Sequence, residues 1–277
     1  MSRFASAFAL IATITTAPVF AQSTPDAEID TLFAALGLPE IVEVMHEEGL
    51  AYSTTLGEDM LPVAAARDWA EAAQAIYDPQ TMLREVRATF ETELQGDDID
   101  AMLAFFTSEA GARIIALEVS ARRAFLDEAV EEASTQAATV QMRDETPRYL
   151  LVKDFVDTND LIESNVVGAL NSSYAFYTGL IDGGAMPADV TRDTALQDVW
   201  AQELDIRDTT TEWIFSFLLM AYQPLSDAEL NTYIAFSETD AGQQLTAALF
   251  VAFDGMFEDI SRALGLNISR LLLTQEL

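Results

Sequence analysis

The only histidine of this 277-residue chain is His46, in Val44-Met45-His46-Glu47-Glu48. A helical zinc peptidase site needs two histidines one turn apart around a glutamate acting as general base. The second histidine is missing. There is no cysteine either, so thiolate ligands and disulfides are closed to this chain. As a lone general base His46 would need a nucleophile brought to it by the fold, and no sequence feature supplies one. Its plain reading is a helix-surface histidine. Lys153, the single lysine, has no serine three residues before it, where a Ser-x-x-Lys nucleophile would stand. Asp97, Asp98 and Asp100 crowd a helix start without the twelve-residue calcium-loop pattern, and capping accounts for them. Gly183-Gly184 lacks the Lys-Ser/Thr and the flanking strand of a phosphate loop. No catalytic, cofactor-binding or metal-binding residue is nominated, and no cofactor is implied.

Carboxylates are too plentiful to single out, with 46 acidic against 14 basic side chains. Two of them can serve as the acid and base of a glycosidase, which requires a separation in space rather than in sequence. A hydrolase built from dispersed Asp and Glu is therefore the rival reading. Arg113, Arg122 and Arg123 stand out in so acidic a chain. They either partner nearby acids such as Glu109, Glu118 and Asp127, or clamp an anionic ligand between helices. The formal charge of −32 repels nucleic-acid phosphates and anionic lipid heads, so neither is expected as a partner. Weak divalent-cation binding by the acidic surface, without a defined site, stays open.

The first 21 residues read as a secretory signal peptide. Arg3 precedes an apolar run to Ala17, and Val19 and Ala21 put small residues at the cleavage positions, making Gln22 the first mature residue. The run is short for a 30 Å hydrocarbon core, so no stable membrane insertion is expected after cleavage. The expected location is the periplasm of a Gram-negative bacterium, or its exterior.

Apolar residues recur every three or four positions almost throughout, as in Ile99, Met102, Leu103, Phe106 and again in Leu245, Leu249, Phe253, Met256, Ile260, Leu264. The spacing predicts an all-α fold, with helices near 26–36, 39–56, 61–77, 79–95, 98–107, 109–143, 147–157, 160–180, 188–206, 210–222, 227–237 and 240–264. Helix 109–143 exceeds ordinary length and is expected to break near Ser134. Gly57, Gly96 and Gly183-Gly184 read as breaks between segments.

The pattern also runs twice. Asp98 to Gly111 aligns with Glu229 to Gly242 at an offset of 131, which also sets Trp69 on Trp200 and Phe105 on Phe236. Glu40 to Glu43 matches Asp160 to Glu163 at an offset of 120, the difference fitting an insertion near Gly183 to Pro187. The expected organisation is a signal peptide at 1–21 and two tandem multi-helix units, 22–143 and 144–277, related by duplication and packed as helical bundles. Within each unit Ser108 and Thr239 read as N-caps, Glu109 and Asp240 as first-turn acids, and Gly111 and Gly242 as places where the preceding helix crosses close. The segment from Trp213 through Phe217 to Tyr222 is apolar on nearly every face and reads as buried, or as covering an interface or a groove. A homo-oligomer contact is one form of that interface.

The segments Phe105-Phe106-Thr107-Ser108-Glu109-Ala110-Gly111 and Phe236-Ser237-Glu238-Thr239-Asp240-Ala241-Gly242, behind a signal peptide, resemble the DUF2059 family of exported bacterial proteins. Glu109 and Asp240 stand where usual members often have proline, which makes this a divergent, acidic case. The resemblance implies an all-helical fold and an exported location, and brings no activity, ligand or catalytic residue with it.

The expected function is non-catalytic: binding a protein, a peptide or a small apolar ligand, or supporting the cell envelope. Self-repulsion at −32 opposes folding and is screened by salt. The melting temperature should therefore rise between about 10 mM and about 500 mM NaCl; a flat or falling curve would show that the charge is not a net burden on the fold.

Overall fold

The computed structural model describes residues 25–94, 99–187 and 189–274, and every regular element among them is a helix. The segment 1–21 read as a signal peptide, Gly96, Asp97 and Asp98 lie outside the described residues. The first half comprises α1 (Pro25–Ala35), α2 (Leu38–Met60), α3 (Ala66–Ile76), α4 (Pro79–Glu93), α5 (Ile99–Phe106), α6 (Glu109–Ala124) and α7 (Glu128–Arg143). The second comprises α8 (Pro147–Thr158), α9 (Leu161–Gly183), α10 (Arg192–Trp200), α11 (Glu203–Ala221), α12 (Asp227–Ser237) and α13 (Asp240–Thr274).

Local chemistry sets most of the boundaries. Pro79 and Pro147 open their helices behind Asp78 and Thr146, whose side chains accept from Thr81 N and Tyr149 N. Ser226 and Glu229 form a reciprocal capping box at α12. The long segment 109–143 breaks at Phe125 to Asp127 and not at Ser134. Asp127 accepts from Ala129 N at 3.0 Å and so starts a new helix, while the Ser134 hydroxyl reaches across to Ser216 O at 2.7 Å without interrupting α7. Gly57 is no break either, since α2 runs on to Met60. It belongs to a strip of small residues, Gly49, Ser53 and Gly57, that receives two aromatic rings. A Cβ added at Gly49 would stand 2.1 Å from Tyr77 and one at Gly57 2.3 Å from Trp69, whose Nε1 donates to Ser53 O at 2.6 Å. The boundary between α10 and α11 falls at Ala201–Gln202, and α13 continues past Leu264 because Ile268 and Ser269 are still fully buried.

Two registers drawn from the sequence differ from the structure. Trp69 is buried, whereas Trp200 ends α10 and is 59% exposed, with Val199 buried beside it. Both α2 and α9 start after a residue in the left-handed region, Gly37 and Asp160, which sets Leu38 against Leu161 and Glu40 against Glu163. That register lies three residues from the one read in the sequence.

Packing crosses the middle of the chain. One core joins α1 to α5 with Leu245, Ala252, Met256 and Ile260 of α13; another joins Ile114, Ala121 and Ala138 of α6 and α7 with α8, α11 and α12. The long C-terminal helix of the second half thus lies on α4, while α6 and α7 of the first half lie on α11. Between the cores Phe105 stacks on Phe236, centroids 4.3 Å apart and planes 13° from parallel.

The most extensive helix pair is α9 with α13. Gly168 meets Asp254, Gly179 meets Gly265, and Gly183 meets Ser269. Each partner lies the same distance along the chain, so the two helices run parallel in fixed register. At Gly265 an added Cβ would lie 2.3 Å from Phe176 O, a backbone atom that cannot swing away. Gly111 and Gly242 are equally tight, each placing a Cβ 2.2 Å from the carbonyl oxygen of Phe105 or Phe236. Gly255, also in α13, has nothing within 4 Å. Gly111→Leu, Gly242→Leu and Gly265→Leu should each destabilise by about 1–3 kcal/mol or more, the first two by similar amounts. Gly255→Ala should stabilise by roughly 0.5–1 kcal/mol. Chemical denaturation checks this set, and unchanged midpoints for the leucine variants would refute the close crossings.

A candidate ligand cavity

On α6 and its C-cap the residues Gly111, Ile114, Glu118, Ala121, Arg122 and Phe125 recur at three- and four-residue intervals, so two charged groups lie on the helix's inner stripe. The fold brings that stripe against α11 and α12 and turns it toward the α9–α13 pair. Between these helices is a cavity of about 600 Å³. Its walls are largely aromatic, with Phe155, Phe217, Phe250, Phe253 and Phe257 contributing rings. A second cavity of about 710 Å³ adjoins it, sharing Met45, Arg122, Ala169, Ser172 and Phe257. Together they form a channel along one side of the α9–α13 pair, with Arg122 where the two parts meet.

Polar groups converge at a few points on these walls. Tyr222 Oη, fully buried, donates to Glu118 Oε1 at 2.6 Å, and the Tyr233 hydroxyl is a second hydrogen-bond partner of the same carboxyl. Glu118 lies deep in the molecule, with part of its side chain touching the cavity. Burial pushes its pKa up to about 7 against the pull of the two phenols, which are themselves raised well above their usual range. One turn on, Arg122 pairs with Glu48 of α2 at 2.5 Å and lies 4.9 Å over the Trp213 ring. Its Nε is buried without a partner among the described residues. Asp254 of α13 occupies the room left by Gly168, and burial together with Glu258 raises its pKa. No cation pairs with Asp254 among the described residues. Asn159 is committed to structure, donating to Phe155 O and accepting from Thr246.

Of the residues singled out in the sequence, Phe217 and Tyr222 line the cavity. Trp213 stands behind, stacked on Phe217 at 5.2 Å, and is covered by Arg122. Ser108 and Thr239 sit at helix junctions away from the cavity. Each caps its helix by accepting from Gly111 N or Gly242 N at 3.1 Å while donating to the carbonyl of Phe105 or Phe236 at 2.6 Å. Glu109 and Asp240 open α6 and α13. The arginines find partners on distant elements instead of the neighbouring acids expected: Arg113 pairs with Glu229, and Arg122 with Glu48. His46 donates from Nδ1 to the carbonyl of Tyr77 at 2.6 Å, pinning α2 to the end of α3. Glu118 and Asp254 were missed as site residues. The signal for Glu118 was its place on the apolar stripe of α6, which sets a carboxylate among buried neighbours.

The fold and cavity define a class: an all-helical protein with an open, amphipathic channel between its helices, in which no described helix is long and apolar enough to cross a membrane. Among the described residues no three His, Asp or Glu side chains gather as metal ligands. Residues 80–139, from α4 through most of α7, match the family described as "Uncharacterized protein conserved in bacteria (DUF2059)". Comparison with curated proteins and with solved structures yields no match.

A carboxyl whose pKa rises from 4.5 when unfolded to about 7 when folded favours the folded state while protonated. Stability should therefore fall as pH climbs through that window and level off above it. Glu118→Gln should remove this slope, so the variant gains on the parent by about 2–3 kcal/mol from pH 4.5 to pH 8. Denaturation profiles of the two proteins check this; parallel profiles would place Glu118 in ordinary solvent.

Proposed function

We propose that the mature chain is a non-catalytic periplasmic binding protein that takes a small amphipathic molecule into the channel beside α9 and α13. The observation that carries this is the channel: a volume within the range of ligand sites, aromatic walls, and a few converging polar groups. The leader read at 1–21 and the bacterial family match support an exported protein.

The rival is hydrolysis, favoured by the raised pKa of Glu118 and by Asp254, a second carboxyl with a raised pKa on the same cavity. A general acid must present its proton to a leaving group. Here two tyrosine hydroxyls occupy the carboxyl, and among the described residues no nucleophile or base is hydrogen-bonded to it. That arrangement fits recognition better than bond cleavage.

The same proposal treats the halves as duplicates of one unit, 22–143 and 144–277. Supporting it are the matching junctions at Gly111 and Gly242, the Phe105–Phe236 stack, and matching neighbours: α1 on α5 as α8 on α12, and α2 on α3 as α9 on α10. Widely different costs for the two junction glycine variants would argue against it.

Binding is tested with N-phenyl-1-naphthylamine, a neutral dye that brightens in apolar surroundings. Saturable enhancement is expected with the parent protein, and loss of it in Ala169→Trp, which fills the junction of the two cavities while helical circular dichroism is retained. Absence of saturable binding, or equal binding by the variant, would overturn the proposal.

A further inference from the structure

The charge inventory of the channel bears on what it holds. Three carboxylates border it, Glu48, Glu118 and Asp254, against the single guanidinium of Arg122. That guanidinium is already answered by Glu48 and by the face of Trp213. An anionic ligand would have to displace Glu48 and approach Asp254, which is half-buried and has no cation of its own among the described residues. A cation meets the opposite situation. Asp254 and Glu118 lie on helices lining the same cavity, among aromatic faces that attract positive charge. Burying a carboxylate without a partner is costly, so a site of this kind gains most from a ligand that supplies the missing charge.

We infer that the ligand is a hydrophobic organic cation, an apolar body bearing an amine or quaternary centre, held between Asp254 and Glu118 with Phe250 and Phe253 against its body. This rests on the channel being a ligand site, and it adds the sign of the charge. A permanent cation displaces the proton from Glu118, so its affinity grows as that carboxyl ionises. Tyr222 of α11 and Tyr233 of α12 are hydrogen-bonded to Glu118; Asp254 of α13 and Arg122 of its own helix line the same cavity, and Glu48 of α2 reaches it only through its pair with Arg122. Both phenols stay protonated across neutral pH, and Glu48 is paired with Arg122. Glu118 and Asp254 are thus the groups through which pH acts.

Tetraphenylphosphonium and tetraphenylborate test this, being nearly the same size and shape with opposite charge. Each is titrated against the full mature chain carrying the neutral naphthylamine dye, in about 500 mM salt so that general attraction to the acidic surface is screened. The phosphonium should displace the dye at least about tenfold more tightly than the borate. Its affinity should rise several-fold from pH 6 to pH 8. Glu118→Gln should flatten that rise, and Asp254→Asn should weaken the phosphonium by about tenfold more than it alters binding of the neutral dye. Borate binding as tightly as phosphonium, or phosphonium affinity unchanged in both variants, would overturn the charge assignment while the channel stands as a ligand site. If none of the three compounds binds, the channel reading falls with it.

Discussion

The parallel contact between α9 and α13 is the constraint on which the rest of the structure depends. Gly179, Gly183, Gly265 and Ser269 withdraw side chains from between the two helices, so their backbones meet near the C-terminal end of α9. The Ser269 hydroxyl is buried there without a partner among the described residues, a cost of about 1–3 kcal/mol that marks how little room the crossing leaves. Nearer the start of α9 the same register sets Gly168 and Ala169 beside Phe253, Asp254 and Phe257, where side chains replace backbone contact and the channel opens. One helix pair thereby closes the core at one end and shapes the cavity at the other.

That pair also ties the two halves of the chain into a single body. Because α13 presents Leu245, Ala252, Met256 and Ile260 to it, the helix joins the core of α1 to α5, while α6 and α7 pass the other way onto α11. Several of the scarce positive charges are placed where elements meet. Arg148 donates to the carbonyls of Tyr222 and Leu225 beyond the end of α11 and pairs with Asp227; Arg207 bridges Glu163 and Glu203. Exposed pairs of this kind contribute little each. Their placement leaves the channel with one cation, already engaged, and an excess of carboxylate.

Much of the fold was legible in the sequence because helices announce themselves through local spacing and caps. Pro79 behind Asp78, Ser108, Thr239 and the apolar stripe of α13 all fall where their chemistry demands. Errors arose where a local signal was outweighed by a distant partner. Gly57 looks like a break until Trp69 is packed against it, and Ser134 looks like a weak point until it finds Ser216. The cavity was half legible: the apolar segment holding Phe217 and Tyr222 stood out, but not the face it would meet. Glu118 and Arg122 are ordinary surface types by composition. Only their position on an inward stripe, and the arrival of α11 and α12 against it, turns them into cavity groups.

Native mass spectrometry of the protein purified from the bacterium that makes it examines the central claim most directly, since it weighs chain, leader and ligand together. The account predicts a chain starting at Gln22 that carries one small molecule, which is shed on denaturation and is positively charged when ionised alone. A bare chain at every collision energy, or one that retains residues 1–21, would contradict it.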